Sequence, residues 1–197
     1  MSETGIIGDI HGCFTPLKLL AEDALLQVER FVFLGDYVNR GDDSRRVLDF
    51  LIELAGRVEC HFLAGNHDLA MLAALGEEFD EFLTLGGAST VRSYIDPPFV
   101  DVASEFSASV PNSHREFLSS LKEQYSTDDL LVTHRAPREA DGGRFHVSGH
   151  SPQPSTKPLV LSDRAFIDTG CGTLPNGRLT CFLWPSRKWL SQPGSGR

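Results

Sequence analysis

Five times along the chain a short apolar run gives way to a small residue and then to a polar side chain. The runs are Ile6-Ile7-Gly8-Asp9, Val32-Phe33-Leu34-Gly35-Asp36, Phe62-Leu63-Ala64-Gly65-Asn66, Leu130-Leu131-Val132-Thr133-His134 and Phe145-His146-Val147-Ser148-Gly149-His150. Continuous apolar runs this short suit strands buried on both faces of a layered α/β protein. Between the first three lie helical patterns. Thr15 reads as an N-cap with Pro16 at the first helical position, and Leu17, Leu20, Ala21, Ala24 and Leu25 share a face. Asp43 or Ser44 caps a second helix with an apolar stripe of Val47, Leu48, Leu51, Ile52 and Ala55. Strand–helix–strand alternation brings successive strand ends to one edge of a sheet. Five chain-distant polar side chains then gather on one rim, where open α/β sheets place their sites.

Composition narrows the class. With 197 residues, 41% of them hydrophobic, the chain can bury one core. A single domain over residues 1–190 is expected, followed by a tail of disordered composition, SQPGSGR, over 191–197. No apolar run approaches the roughly 20 residues of a membrane-spanning helix. The N-terminus lacks the basic start and apolar stretch of a signal peptide, so a cytoplasmic location away from membranes is expected. The formal charge of −9 comes without any Lys/Arg block, which argues against stable nucleic-acid binding but is compatible with a phosphoprotein or a small phosphorylated substrate. Cys13, Cys60, Cys171 and Cys181 form no close pair and read as free, packed thiols.

The rim residues point to metal chemistry. His11 lies two positions after Asp9, so both side chains aim the same way along an extended segment. The candidate ligands are then Asp9, His11, Asp36, Asn66, His134 and His150. Six mixed oxygen and nitrogen donors are too many for one tetrahedral zinc, and no thiolate is among them. Two divalent ions sharing a carboxylate fit better. Such a pair delivers hydroxide for in-line attack on phosphorus and neutralises phosphoryl charge. His67, outside the ligand set, is the candidate acid for the leaving oxygen. Arg40 offers a two-pronged grip on phosphate.

The motifs GDIHG (8–12), GDYVNRG (35–41), GNHD (65–68), the strand-borne His134 and GHSP (149–152) together resemble the calcineurin-like metallophosphoesterases, most closely the phosphoprotein phosphatase branch. FLTLGGAST (82–90) and IDTG (167–170) are similar to segments of its small bacterial members. The resemblance implies a two-sheet β-sandwich flanked by helices around a βαβαβ metal-binding core. The C-terminal runs Leu159–Leu161, Ala165–Ile167 and Leu179–Trp184 leave material for the second sheet. It further implies that Asp9, His11 and Asp36 hold one metal while Asp36, Asn66, His134 and His150 hold the other, with Asp36 bridging. Asn66 and Arg40 would contact substrate phosphate, and His67 would donate the proton. The metals expected are manganese first, with iron or zinc as alternates.

Two departures stand out. Asn39 occupies the position where the protein phosphatases carry an Asp that orients the catalytic histidine and favours its protonated form. An amide can still orient His67, accepting a hydrogen bond through its oxygen, but supplies no charge; an acid-shifted or lower pH–rate profile is expected. The connection from His134 to His150 is also short, where relatives carry a second phosphate arginine, and Arg135, Arg138 and Arg144 are the possible replacements. The leading expectation is a serine/threonine-type phosphomonoesterase acting on proteins. The alternatives are a dinucleoside polyphosphate hydrolase and a non-catalytic metal-binding module. His61 and His146 read as packed strand residues and His114 as solvated at a helix start. Asp68 reads as either a support for the site or a helix cap.

Overall fold

The computed structural model describes residues 3–137 and 143–194. The chain runs β1 (Glu3–Ile7), α1 (Phe14–Ala24), β2 (Val28–Phe33), α2 (Ser44–Ala55), β3 (Glu59–Phe62), α3 (Asn66–Ala74), α4 (Phe79–Thr84), α5 (Ala88–Tyr94), α6 (Val102–Ser109), α7 (Asn112–Ser120), β4 (Gln124–Ser126), β5 (Leu130–Thr133), β6 (Phe145–Ser148), β7 (Leu159–Val160), β8 (Arg164–Phe166), β9 (Arg178–Trp184) and β10 (Lys188–Pro193). One sheet has the order β10-β9-β1-β2-β3, the other β4-β5-β6-β8-β7. β1, β2 and β3 are parallel, as are β5, β6 and β8; antiparallel pairings extend the first sheet on its β9–β10 side and close both edges of the second, at β4 and β7.

The period of two in a strand explains why the sequence runs are apolar at consecutive positions. Ile7, Phe31 and Phe33 face the helices with Leu17, Leu20, Val47 and Leu51. Their neighbours Ile6 and Val32 face the second sheet, packing with Leu130, Val132, Val147 and Ala165. The first sheet is therefore covered on both faces, by helices on one and by a sheet on the other. Alternation alone predicts a single sheet with one rim. The rim instead belongs to two sheets, whose parallel strands point their C-terminal ends the same way.

Local boundaries differ from expectation in three places. Helix α1 begins two residues earlier, with Cys13 in place of Thr15 as N-cap, because Leu17 N–H already reaches the Cys13 carbonyl at 3.2 Å. Pro16 is tolerated there since first-turn N–H groups have no helical partner. In α2 the fourth core position is Leu54, with Ala55 exposed, and Ser44 is the first helical residue after Asp43. The expected tail from residue 191 is part of β10 through Pro193, with Ser191 opposite Thr180 and Gln192 opposite Leu179.

Candidate metal centre

Asp36 organises the centre. It follows β2 with φ of 52°, in the left-handed region that costs an ordinary residue about 1 kcal/mol. Asp68 holds that turn: its Oδ2 accepts Asp36 N–H at 2.7 Å and Gly65 N–H at 3.0 Å, and its Oδ1 accepts Tyr37 N–H at 2.8 Å. The carboxylate thus caps α3 and pins the site loop together, so both sequence readings of Asp68 apply. Asp36 Oδ1 in turn accepts His67 N–H at 3.0 Å, at the N-terminus of α3, where a negative charge is favoured. Gly65 and Gly149 are required by close approach. A Cβ on either would overlap the carboxylate of Asp36 or Asp9, respectively.

The other oxygen, Asp36 Oδ2, is faced by three imidazoles: His134 Nε2 at 3.5 Å, His11 Nε2 at 3.8 Å and His67 Nε2 at 3.9 Å. Two clusters of side chains come close enough to hold an ion, His11–Asp36–His67 and Asp36–His134–His150, each with its nitrogen and oxygen atoms within 4.8 Å of one another. Asn66 Oδ1 joins the second, 3.4 Å from His134 Nε2. Asp9 lies beside the centre but in neither group. Both its oxygens take the His150 N–H, at 3.1 and 3.3 Å. Of the seven described non-glycine residues with positive φ, five are His11, Asp36, Asn39, Arg40 and His150. Strained backbone held in place by its surroundings concentrates at functional sites.

Proton placement tests whether cations fit. His134 Nδ1 donates to the Leu34 carbonyl at 2.9 Å and His11 Nδ1 to the Val38 carbonyl at 3.3 Å. Burial pushes His134 down to about 4 and His11 well below the usual imidazole range, so both rings are neutral. Their Nε2 lone pairs therefore point at a carboxylate oxygen with no proton between. That arrangement is repulsive unless a cation sits there, and a backbone carbonyl on the far nitrogen is how metal-binding histidines are oriented. The carboxylates agree. Burial raises Asp9 well above the usual range, with Asp168 and Asp36 adding repulsion; burial also raises Asp36 and takes Asp168 up to about 6. The residues fit divalent metals.

His67 has the opposite proton. The Asn39 amide nitrogen is 3.0 Å from His67 Nδ1 and 3.4 Å from the Leu85 carbonyl, while Asn39 Oδ1 accepts from the Thr90 hydroxyl at 2.8 Å. The sequence reading had the amide oxygen facing His67. The structure turns it round, because Thr90 offers a donor on one side and Leu85 an acceptor on the other. His67 Nδ1 then accepts, and the ring proton sits on Nε2, facing the centre. Burial lowers its pKa, with the Asp36 charge opposing.

Arg40 follows Asn39 and reaches Thr173 Oγ1 at 3.3 Å, lining a groove with Gly172, Leu174 and Pro175. Among the three replacement arginines, Arg135 lies at the centre, its Nη2 3.4 Å from Asn66 Oδ1. Arg144 precedes β6, at the opposite end of that strand from His150, and lines a separate cavity there with Trp184 and Arg187. Arg138 lies outside the described residues. His114 is fully buried rather than solvated, between Tyr94 Oη at 2.7 Å and Asp49 Oδ1 at 2.9 Å. Sequence reasoning did not assign roles to Asp168, Thr90 or the Leu85 carbonyl, although the IDTG and FLTLGGAST segments that hold them were visible.

Comparison with known proteins agrees with this geometry. The family model for calcineurin-like phosphoesterases matches residues 3–181. A symmetrical bis(5'-nucleosyl)-tetraphosphatase of Pseudomonas entomophila is 37% identical over 100 residues, covering 50% of this chain but only 33% of that protein. The chain thus matches about a third of the length of these first relatives. An asymmetrical bis(5'-nucleosyl)-tetraphosphatase of Geobacillus thermodenitrificans is 23% identical across 96% of this chain and 94% of its own. A solved putative diadenosine tetraphosphatase shares the fold with a TM-score of 0.68 at 21% identity, over 98% and 94% of the two chains. The cold-active protein-tyrosine phosphatase of a psychrophilic Shewanella does so at 0.60 and 14%, over 98% and 80%. The chain belongs to the calcineurin-like phosphoesterase family.

Proposed function

We propose that this protein hydrolyses phosphoanhydride bonds of dinucleoside polyphosphates. The observation that carries the reading is the placement of arginines on two sides of one carboxylate–histidine centre. Arg40 lines the groove beside Thr173, and Arg135 lines those beside Asn66. A chain of phosphates presents charge on both sides of its scissile bond, whereas a phosphomonoester presents it on one. The groove on the Asn66 side, about 490 Å³, is lined by Leu69, Ala70, Ala73 and Leu85 together with Glu78 and Glu81, and its apolar part suits a nucleoside. The names of the two relatives support the same substrate class over the serine/threonine phosphatase expectation.

In this reading Asp36, His11, Asn66, His134 and His150 would hold two divalent ions, manganese first, with Asp9 adjoining. Those ions supply charge neutralisation and an activated water. Arg40 and Arg135 bind and orient phosphate oxygens. His67 donates a hydrogen bond from Nε2–H to the departing oxygen, stabilising the charge that develops there. Phosphomonoester hydrolysis is the second reading, favoured by Arg40 and Arg135 lining separate grooves, since either alone can grip a single phosphate.

The test compares diadenosine tetraphosphate with a phosphoserine peptide, using metal-stripped protein re-supplied with manganese. The dinucleotide should win by at least about tenfold in kcat/KM, and Asp36→Asn should lower its turnover by about a thousandfold. A reversed preference would replace the proposal with the second reading. Turnover that survives Asp36→Asn would remove the centre from the chemistry.

A further inference from the structure

The segment FLTLGGAST contributes no ligand, yet Asn39 and Arg40 rest on it. The Gly86 carbonyl accepts Arg40 N–H at 3.4 Å, and the Leu85 carbonyl accepts the Asn39 amide at 3.4 Å. Thr90, fully buried at the start of α5, meets three partners: Asn39 N–H at 2.9 Å, Ser44 Oγ at 2.8 Å and Asn39 Oδ1 at 2.8 Å. A hydroxyl has one hydrogen to give and two lone pairs to receive. Both lone pairs are filled if Asn39 N–H and the Ser44 hydroxyl donate, which sends the single hydrogen to Asn39 Oδ1. Both amide hydrogens of Asn39 are then used as well, one on Leu85 and one on His67 Nδ1. Turning the amide over would set its oxygen against the Leu85 carbonyl oxygen and leave that carbonyl without its donor. A buried polar group stripped of its partner costs about 1–3 kcal/mol, enough to hold one orientation.

We propose that Thr90 is a positioning residue for the reaction at Asp36: its hydroxyl fixes the Asn39 amide, and the amide fixes the His67 proton on Nε2. The consequence separates His67 from its neighbours. His11 and His134 offer lone pairs toward Asp36, while His67 offers a proton, so one of three imidazoles around the same oxygen is kept out of the ligand role. The catalytic consequence rests on the reading of His67 given above, but the proton placement does not.

The metal-free 197-residue protein labelled with ¹⁵N-histidine tests it. Long-range ¹H–¹⁵N correlations report which ring nitrogen is protonated, and loss of one set of signals in His67→Gln assigns them. Wild type should show His67 protonated on Nε2. Thr90→Val keeps the side-chain shape and removes the hydroxyl. The two His67 nitrogen shifts should then converge toward a mixture, and kcat of the metal-loaded enzyme should fall about tenfold with KM within about twofold. Thr90→Ser should restore both. A wild-type His67 protonated on Nδ1 overturns the inference whether or not the valine variant folds, as do unchanged His67 shifts in a folded Thr90→Val. If no phosphoester or anhydride is turned over, the functional reading fails, and the nitrogen shifts still decide the proton placement.

Discussion

The imidazoles on the two sides of Asp36 are alike in burial and differ in what stands behind them. Behind His11 and His134 are backbone carbonyls, Val38 and Leu34, that lie at the ends of a strand and its turn. Behind His67 is a side-chain amide, itself held by Thr90 and Leu85. A carbonyl can only accept, so it leaves the far nitrogen as a lone pair; an amide nitrogen can only donate, so it leaves the far nitrogen protonated. The same residue type is thereby suited to offer a lone pair or an N–H, according to its second contact. The cavity at the far end of the sandwich shows that space alone does not make such a site. It measures about 420 Å³ and is lined by Arg164 and Arg187, but the first is paired with Asp163 at 2.9 Å and the second donates to the Ser162 carbonyl and stacks on Phe145.

Four measurements would break or sharpen the contrast. The largest effect is expected from His67→Gln, which should cost about 10²–10⁴ in kcat while metal content stays at the wild-type level by elemental analysis. A loss of bound metal there would mean that His67 is a ligand like the others. His134→Ala should do the reverse first, weakening metal affinity by at least about 100-fold in titrations; unchanged affinity would remove it from the ligand set.

Metal binding itself should release protons, and these should come from carboxyl groups rather than histidines. The raised Asp9 and Asp168 hold protons to higher pH in the metal-free protein, whereas the lowered His11 and His134 have already lost theirs. Affinity therefore rises with pH, and falls as pH drops through the raised carboxyl range. Calorimetry in buffers of different ionisation enthalpy reads the proton count; none released near pH 6 would contradict the burial argument.

The smallest change is expected from Asn39→Asp. A carboxylate accepts from Nδ1 instead of donating to it, so His67 gains a proton there and holds it to higher pH. The alkaline limb of the pH–rate profile should move up and the rate near neutrality rise by a few-fold. Stability should drop by about 1 kcal/mol, because the Leu85 carbonyl loses its donor. A limb that does not move would show that position 39 is not coupled to His67.

The pattern of apolar runs, each ending in a small residue and a ligand-type side chain, was enough to set out β1, β2, β3, β5 and β6, the helices between the first three, and the gathering of Asp36, His11, Asn66, His134 and His150. Those features depend on local periodicity and on the direction in which parallel strands end, and both are written in consecutive residues. The division into two sheets needed pairings between segments far apart, such as β9 beside β1, that periodicity does not encode. The same limit hid the orientation of Asn39. Its oxygen and nitrogen are nearly equal in shape, and only partners at Leu85 and Thr90, 46 and 51 residues away, distinguish them. His114 was misjudged for the same reason, since Asp49 and Tyr94 reach it from other helices. The sequence by itself determined which donors meet. Long-range hydrogen bonds, which depend on where the chain returns, decided which of those donors carries a proton.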